Sequence, residues 1–195
     1  MNVYDFDKTI IKDDSTTAFY FYALRHYPRI LKHLPSQLRH AVRLFFKKIS
    51  LGEFKEHFMC YIKSIPDPHE ALEKFWDERS QKVNSWYLEK HRDDDIVISA
   101  SPEAIIAPGC RRLGITKYHG TKMDIRTGKF YSKNCKGEEK PVRFREVYGN
   151  MHIDEFYSDS LSDTPMALLA DRSFLVKGEK LTEWTDFDSF YSKKT

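Results

Sequence analysis

Carboxylates, hydroxyls and ammonium groups recur in this sequence at the points where short apolar runs end. The acids come in two pairs with hydroxyl and lysine side chains between them, and the set comprises Asp5, Asp7, Thr9, Ser99, Ser101, Lys140, Asp159 and Asp163. Carboxylate oxygens are the ligands that Mg²⁺ prefers, and an ammonium and a hydroxyl can hold phosphoryl oxygens. One aspartate can act as a nucleophile, and a second can supply the proton that an alcohol leaving group needs. If the fold brings these side chains together, they could transfer a phosphoryl group.

Each member of this set has a simpler explanation when it is taken alone. Asp5 and Asp7 could serve as turn or cap residues, and Lys140 could be an ordinary solvated lysine. The two serines could cap a helix, and the second pair of acids could belong to a loop and a helix start. A second lysine, Lys136, is an alternative to Lys140 for holding phosphate. The functional interpretation therefore rests on the whole set occurring in this order.

The predicted strands end where these residues stand. Strands are expected at residues 2–6, 96–98, 117–120, 155–157 and 174–176, and a β-hairpin is expected at 121–132. Helices are expected to begin at Ser101, Lys140 and Thr164, so strands and helices alternate from residue 95 onward. Ligands of open parallel sheets bind beyond the carboxyl ends of the strands. The pattern therefore predicts a Rossmann-like, three-layer α/β core whose parallel sheet carries the set at one edge.

A long helical region, residues 14–90, separates the first two strands. It is predicted to hold four amphipathic helices: one capped by Ser15 or Asp14, one after Pro35, one with Phe54 and Phe58 on its apolar face, and one that opens at Asp67 and continues to Tyr87. Four such helices in sequence suggest a small bundle. We therefore expect a discontinuous α/β core of residues 1–12 and 93–195, with an inserted all-α helical-bundle cap of residues 13–92.

The composition is that of an ordinary globular chain and argues against several classes of protein. Of the 195 residues, 41% are hydrophobic and 31% are charged, and the net charge is only +3. Such a charge favours a small anionic ligand, and we expect no nucleic-acid partner. Three widely spaced cysteines without a CxxC pair argue against a disulfide scaffold or a zinc site, so a cytoplasmic location is expected. No signal peptide or membrane-spanning run stands out, so no stable membrane insertion is expected, and the oligomeric state stays open.

One basic stretch allows two interpretations. Residues 39–48 combine Arg39, Arg43 and two lysines with apolar side chains such as Val42 and Phe45. The stretch could contact an anionic membrane or a lipid phosphate head group. The favoured interpretation is a solvated face of the helical bundle.

Four segments, taken in order, resemble the motifs of the haloacid dehalogenase-like hydrolases. DFDKT at residues 5–9 resembles their first motif, DxDxT, and VISAS at 97–101 resembles the second, an apolar strand that ends in serine. GEEKPVRF, which contains Lys140, and SDSLSD, which contains Asp159 and Asp163, are similar to the third and fourth. With a helical cap between motifs one and two, the chain is similar to the phosphoserine phosphatase-like branch over nearly its whole length.

The resemblance implies a role for each member of the set. Asp5 matches the nucleophile and Asp7 the general acid and base; Ser99 and Lys140 match the groups that bind phosphate; Asp5, Asp7 and Asp159 match the ligands of Mg²⁺; Thr9 and Asp163 match supporting residues. It implies a magnesium-dependent phosphatase that hydrolyses a small organic phosphate monoester through a phospho-aspartate. The carboxylate at position 7, where family members that pump ions have threonine, favours hydrolysis of that intermediate. The alternatives are a lipid-phosphate phosphatase, a phosphotransferase, or a non-catalytic regulatory or binding module on the same scaffold.

Departures from the family pattern bear on the turn of the fourth motif and on substrate choice. Ser158 stands where the fourth motif usually has glycine, and we expect the turn to survive because serine is small. Phosphoserine phosphatases carry a glutamate and an arginine in the cap. The position that matches the glutamate is Asp14, whereas the position that matches the arginine is near Tyr61, on a predicted helix without arginine. Asp14, Phe58 and Tyr61 are therefore candidates for setting selectivity, and phosphoserine is expected to be a poor substrate.

Overall fold

The computed structural model describes residues 1–185, and its centre is a six-stranded sheet. The strands are β1 (Asn2–Tyr4), β2 (Ile96–Pro102), β3 (Lys117–Thr121), β4 (Ile153–Ser158), β5 (Ala170–Lys177) and β6 (Lys180–Glu183). They lie in the order β3-β2-β1-β4-β5-β6, and every neighbouring pair is parallel except β5 and β6. The carboxyl end of β1 therefore lies between those of β2 and β4. This arrangement confirms the predicted α/β fold with a mostly parallel sheet.

Helices cover both faces of this sheet. Successive residues of a strand point to opposite faces, and here they enter two separate apolar clusters. Tyr4 belongs to the cluster that includes side chains of α6 (Glu103–Arg112). Val3 belongs to the other cluster, which includes side chains of α7 (Glu139–Tyr148) and α8 (Thr164–Ala167). The core thus has the three layers that the alternating pattern predicts.

Five α-helices lie between β1 and β2, and we call residues 13–92 the helical insertion. They are α1 (Ser15–His26), α2 (Leu34–Phe45), α3 (Leu51–Met59), α4 (Pro68–Asp77) and α5 (Ser85–Lys90). Of the two predicted caps of α1, Asp14 is the one used, since its carboxylate accepts the backbone N–H of Thr17 at 2.7 Å. The division of the chain into a core and a separate cap domain at residues 12 and 93 stays a prediction.

The segment from Asp67 to Tyr87, which was predicted to form a single fourth helix, is divided between α4 and α5. The chain bends between them because Asn84 ties it to the loop after β1. The backbone N–H of Asn84 donates to the carbonyl of Ile10 at 2.8 Å, and its side-chain amide donates to the carbonyl of Thr9 at 2.7 Å. As a result α5 packs on the sheet, where the ring centroid of Tyr87 lies 5.1 Å from that of Tyr4.

Two elements at the margins of the core also differ from expectation. The predicted hairpin at residues 121–132 is reduced to a single antiparallel bridge between Met123 and Phe130. The edge strand β6 was not predicted at all. Its four residues are mostly exposed, and only Leu181 is apolar, so no alternation of apolar and polar residues marks it in the sequence.

The apolar residues near the end of α2 are not packed inside a bundle. Val42 is 54% exposed, Phe45 is 82% exposed and Phe46 is 63% exposed. The helix is held on the insertion by its opposite side, through the buried side chains of Gln37 and His40. Residues 39–48 are thus largely exposed, which agrees with the favoured interpretation as a solvated face, and three of their apolar side chains face outward together with the charged ones.

Gly109 of α6 lies so close to Trp76 of α4 that a larger residue would overlap the indole ring. A Cβ added at Gly109 would lie 2.8 Å from Cζ2 of Trp76, and the indole N–H holds the ring in place by donating to the carbonyl of Ile105 at 2.7 Å. We expect Gly109→Ala to lower the free energy of unfolding by about 1–2 kcal/mol, because overpacking costs about 1–3 kcal/mol and the helix propensity of alanine recovers up to about 1. Urea denaturation measures the change.

Gly52→Ala in α3 is the matched control. The nearest atom to a Cβ there is the Oγ of Ser50 at 3.8 Å, so this variant is expected to be more stable than the wild type by about 0.5–1 kcal/mol. If Gly109→Ala were as stable as Gly52→Ala, the tight packing of α4 on α6 would not be a source of stability.

Candidate active site

The carboxyl ends of β1, β2 and β4 open into one cavity of about 340 Å³, which we call the strand-end pocket. The acids, serines and lysines that the sequence analysis singled out line it together: Asp5, Asp7, Ser99, Ser101, Lys136, Lys140, Asp159 and Asp163. The helical insertion closes one side of the pocket through Asp14, Leu51 and Lys55. Parallel strands thus bring together residues that are up to 158 positions apart in the sequence, Asp5 and Asp163.

A fully buried ammonium group holds two of the carboxylates. Nζ of Lys140, at the start of α7, lies 3.1 Å from Oδ1 of Asp5 and 2.6 Å from Oδ2 of Asp163. Burial lowers the pKa of Lys140, but the two carboxylates outweigh this effect and keep it above its usual range. The side chain therefore stays charged in the pocket. Lys136, the alternative, is exposed and makes neither contact.

Ser158, which replaces the usual glycine of the fourth motif, supports the same carboxylate. Its hydroxyl donates to Oδ2 of Asp163 at 2.7 Å, and its side chain is fully buried. The backbone N–H of Ser160 donates to the Ser158 hydroxyl oxygen at 3.2 Å. The turn after β4 thus accommodates the serine and gains two hydrogen bonds from it.

Asp7 is held at both of its carboxylate oxygens. Oδ1 accepts the backbone N–H of Ser15 at 2.9 Å, and Oδ2 accepts the hydroxyl of Ser101. Burial raises the pKa of Asp7 to about 7, the charge of Asp14 adds to this effect, and the hydrogen bonds oppose it. A carboxyl group with this pKa can both donate and accept a proton near neutral pH.

The remaining predicted residues connect the strand-end loops or line the pocket. The hydroxyl oxygen of Thr9 accepts the backbone N–H of Asp159 at 3.0 Å, so the loop after β1 is tied to the loop after β4. Ser99 is buried, and its hydroxyl oxygen accepts the backbone N–H of Ser101 at 3.2 Å. This leaves the hydroxyl proton of Ser99 available to a bound oxygen atom.

The carboxylates of the pocket raise one another's pKa, which favours a bound cation. Burial raises the pKa of Asp5 to about 6, Lys140 opposes the rise, and the charges of Asp163 and Asp159 add to it. The pKa of Asp159 is also raised by burial and by Asp163. One oxygen of Asp163, Oδ1, is buried without a hydrogen-bond partner among residues 1–185. A divalent cation beside these groups would stabilise their ionised forms.

The oxygen-only donor set fits Mg²⁺. Among the residues that the structure describes, no three His, Cys, Asp or Glu side chains converge as a metal cluster. The implied site needs only two carboxylate side chains, those of Asp5 and Asp159, together with the backbone carbonyl of Asp7. Hard oxygen ligands in this number, completed by water and phosphate, are what Mg²⁺ takes in phosphoryl-transfer sites.

The three candidates for selectivity lie in different places. Asp14 lines the strand-end pocket as well as capping α1. Phe58 lines a neighbouring cavity. Tyr61 is fully buried in the core of the insertion, where its ring centroid lies 5.0 Å from that of Tyr20. The reason is that α3 ends at Met59 and a 3-10 turn follows, which directs Tyr61 away from the pocket.

Lys55 of α3 is a pocket residue that the sequence analysis missed. Its ammonium donates to the side-chain oxygen of Asn134 at 3.1 Å and to the carbonyl of Ala100 at 3.3 Å. Burial and the nearby charge of Lys136 lower its pKa. The signal in the sequence is faint: Lys55 stands four residues from Leu51 and four from Met59, so it is one charged residue in an apolar row of a helix.

An apolar cavity of about 340 Å³ adjoins the strand-end pocket. The two share Asp14, Leu51, Lys55 and Ser101 as lining residues. Most of the remaining wall is apolar, with side chains from α3, from the end of β2 and from the loop after β3, and α1 adds two threonines: Phe54, Phe58, Met59, Pro102, Phe130, Thr16 and Thr17. A group attached to a phosphate in the strand-end pocket would therefore extend into apolar surroundings.

Comparison with known proteins identifies the family. The profile of the haloacid dehalogenase-like hydrolases matches residues 3–168. The chain belongs to this family.

Relatives and solved structures agree with this assignment. Protein CicA of Caulobacter vibrioides is 27% identical over 194 residues, which cover 86% of this chain and 82% of CicA. A Bordetella pertussis protein of unknown function has the same fold, with a TM-score of 0.67 at 18% identity over 89% of this chain and 87% of its own. A phosphoserine phosphohydrolase-like protein of Francisella tularensis matches with a TM-score of 0.52 at 16% identity over 89% and 86%. The fold is thus that of the phosphoserine phosphatase-like branch.

Replacing the buried lysine should destabilise the protein. In Lys140→Met, two carboxylates lose their buried cation, and we expect the free energy of unfolding to fall by about 3–5 kcal/mol, because a broken buried ion pair leaves an uncompensated charge. Denaturation in the presence of EDTA measures this without a divalent ion that would mask the effect. The matched control is Lys136→Met. The side chain of Lys136 is exposed, so its removal should change the free energy of unfolding by less than about 0.5 kcal/mol. Equal stability of the two variants would contradict the role given to Lys140.

Proposed function

We propose that the protein is a magnesium-dependent phosphatase that hydrolyses a small organic phosphate monoester through a phospho-aspartate on Asp5. Membership of the family supports a hydrolase with phosphatase chemistry. The observation that carries the proposal is the pairing of Asp5 with the buried ammonium of Lys140, beside a second carboxyl group, Asp7, with a pKa of about 7. A nucleophile, a phosphate-binding cation and a proton donor then meet at one strand end.

In the proposed reaction, each residue has a distinct task. A carboxylate oxygen of Asp5 attacks phosphorus, the bond from phosphorus to the ester oxygen breaks, and the leaving alcohol takes the proton of Asp7. Asp7, now ionised, accepts a proton from the water that attacks the phospho-aspartate, which releases inorganic phosphate and restores Asp5. The hydroxyl of Ser99 and the ammonium of Lys140 hold the phosphoryl oxygens meanwhile.

The proposed metal and location complete this description. A bound Mg²⁺ ion, held by Asp5, Asp159 and the backbone carbonyl of Asp7, would reduce the repulsion between the phosphate dianion and the attacking carboxylate. Ser15 and Ser101 fix the orientation of the Asp7 carboxyl group in the pocket through their hydrogen bonds. We propose the cytoplasm as the location, where free thiols such as those of the three cysteines persist.

The apolar cavity beside the pocket supports a leaving group with little charge. A carboxylate of the substrate would meet Lys55, but two of the three N–H groups of that ammonium already donate to Asn134 and Ala100. Phe54 and Phe58 offer only carbon surface to the rest of the substrate. The same cavity supports a second candidate, a lipid-phosphate phosphatase, since an acyl or alkyl chain would also bury its surface there.

The central test is the loss of turnover on removing either carboxylate. We expect Asp5→Asn to abolish magnesium-dependent hydrolysis of p-nitrophenyl phosphate, because an amide is a far poorer nucleophile and metal ligand. We expect Asp7→Asn to lower kcat by roughly 10²–10⁴-fold, the usual contribution of general acid and base catalysis. Assays with Mg²⁺ and with EDTA, on variants whose folding is checked by circular dichroism, measure both effects.

Asp93→Asn serves as the control, because Asp93 is an exposed residue of the connection before β2. Its activity should match that of the wild type. Near-normal activity of Asp5→Asn would rule out the nucleophile, and inactive wild-type protein with every phosphate ester tested would favour a non-catalytic module.

The pocket should also discriminate between leaving groups. We expect kcat/KM for phenyl phosphate to exceed that for L-phosphoserine by at least about tenfold. The ammonium and the carboxylate of phosphoserine would be poorly paired in a partly apolar site, and unpaired buried charges cost several kcal/mol. The same comparison of the two substrates in Lys55→Met shows whether Lys55 pairs with the substrate carboxylate. If phosphoserine were the better substrate and Lys55→Met removed only that preference, Lys55 would be the partner of the substrate carboxylate, and the expectation would be wrong.

A further inference from the structure

The surface around α2 exposes several large apolar side chains that have no role in the proposed reaction. Six large apolar side chains within residues 31–46 are between 38% and 82% exposed: Leu31, Leu34, Leu38, Val42, Phe45 and Phe46. Scattered exposed apolar residues are ordinary, but a contiguous group marks a surface that contacts something else. We call these six residues the apolar stripe.

Helical geometry shows that the stripe is continuous. Leu34, Leu38, Val42 and Phe45 follow one another at intervals of four, four and three residues, which places them on one side of α2. The side that packs on the insertion is a different one and carries the buried residues Gln37 and His40. The stripe therefore does not complete the core of the insertion, and within the described residues it is left facing outward.

The same part of the chain is strongly basic. From Ser15 to Gly52 the sequence has seven basic residues and no acid: Arg25, Arg29, Lys32, Arg39, Arg43, Lys47 and Lys48. Since the whole chain has a net charge of only +3, the rest of the chain has a net charge of −4. Arg39, Lys47 and Lys48 are exposed and lie on or directly after α2. Exposed cations and exposed apolar side chains thus occur together on α2 and directly after it.

We propose that the apolar stripe and its basic neighbours dock the protein on an anionic membrane surface. An amphipathic helix with apolar side chains beside lysine and arginine lies in the interface of a bilayer, with carbon side chains among the acyl chains and cations at the head groups. None of the helices in residues 1–185 has the length and apolar composition that crossing a bilayer requires, so the contact is peripheral. The proposal does not depend on the phosphatase reaction.

Charge complementarity favours a membrane over the other possible occupants. A second copy of the chain, packed stripe to stripe, would bring two basic surfaces together, and like charges across an interface oppose association. A nucleic acid would pair with the cations, but it would leave Phe45 and Phe46 exposed to water. Of these three occupants, only an anionic lipid surface uses both the cations and the apolar side chains.

The docked orientation would bring the strand-end pocket near the lipid. The connection from α2 to α3 is short, and α3 packs on α2 and carries Leu51 and Lys55 at the edge of the pocket. Leu51 is itself 44% exposed and lines both the pocket and the apolar cavity. A phosphate ester at the membrane surface would therefore have a short path to Asp5.

Sedimentation with vesicles tests the proposal directly. The full chain is incubated with vesicles of phosphatidylcholine alone, and with vesicles in which about one-third of the lipid is phosphatidylglycerol. We expect binding to the anionic vesicles only, weakened by salt because exposed charges are screened. Phe45→Ser/Phe46→Ser should lower the partition coefficient at least about tenfold. Arg39→Gln/Lys48→Gln should lower it by about 20–30-fold at low salt, at roughly fivefold for each cation removed.

Matched variants elsewhere on the surface control for general effects. Leu88→Ser/Val147→Ser removes two apolar side chains that are 60% and 51% exposed, and Lys177→Gln/Lys180→Gln removes two exposed lysines that flank the turn between β5 and β6. Both should bind the anionic vesicles within about twofold of the wild type. Circular dichroism of every variant confirms that a loss of binding is not a loss of fold.

Four results would overturn the proposal. The first is no binding of the wild type to the anionic vesicles. The second is binding that persists unchanged in Phe45→Ser/Phe46→Ser. The third is a dimer in analytical ultracentrifugation that Phe45→Ser/Phe46→Ser dissociates, combined with no vesicle binding, which would assign the stripe to a second copy of the chain. Binding of an oligonucleotide in preference to the anionic vesicles would likewise assign the basic surface to nucleic acid.

Discussion

A buried ammonium group between two carboxylates is the interaction on which the rest of the active site depends. Asp5 and Asp163 come from opposite ends of the sequence, and without a cation their burial in one small space would drive one of them to the neutral form. Lys140 offsets part of that repulsion, since its ammonium lies 3.1 Å and 2.6 Å from the two carboxylates. Its position requires α7 to begin under the ends of β1 and β4. The parallel register of those strands is therefore a condition for charge at Asp5, and so for nucleophilic attack.

The second acid links the core to the helical insertion. Asp7 accepts one hydrogen bond from the first residue of α1, Ser15, and one from Ser101 at the end of β2. Asp7, the proposed proton donor, is thus positioned by both parts of the molecule, whereas Asp5 is positioned by the core. Because α1 begins directly after the loop that carries the two aspartates, a shift of the insertion would change the orientation of Asp7 before it changed that of Asp5. In the proposed reaction, this short connection would couple enclosure of the substrate to proton transfer.

The sequence was informative wherever strand ends set the position of a residue. The acids at the ends of β1 and β4 were predictable because parallel strands end at one edge, and Lys140 was favoured over Lys136 because it opens a helix. Residues that depend on the path of the insertion were not predictable. Tyr61 was expected at the pocket because the periodicity of α3 was continued past Met59, where the helix in fact ends. Lys55 was missed because one lysine among apolar helix residues has no local signature.

The sequence alone did not favour the apolar stripe of α2 as a contact surface, for a different physical reason. A net charge of +3 averages over the whole chain, but the field at a surface is set by charges within about one Debye length, roughly 8–10 Å. Seven cations without an acid between Ser15 and Gly52 therefore weigh more in the local potential than the net charge of the whole chain indicates, even though Glu53 lies near Arg43. Exposing aromatic side chains of the same helix to water costs free energy, and the nearby charges alone do not offset this cost. Their coexistence on α2 is accounted for if both meet the same surface, one that is negative at its boundary and apolar beneath.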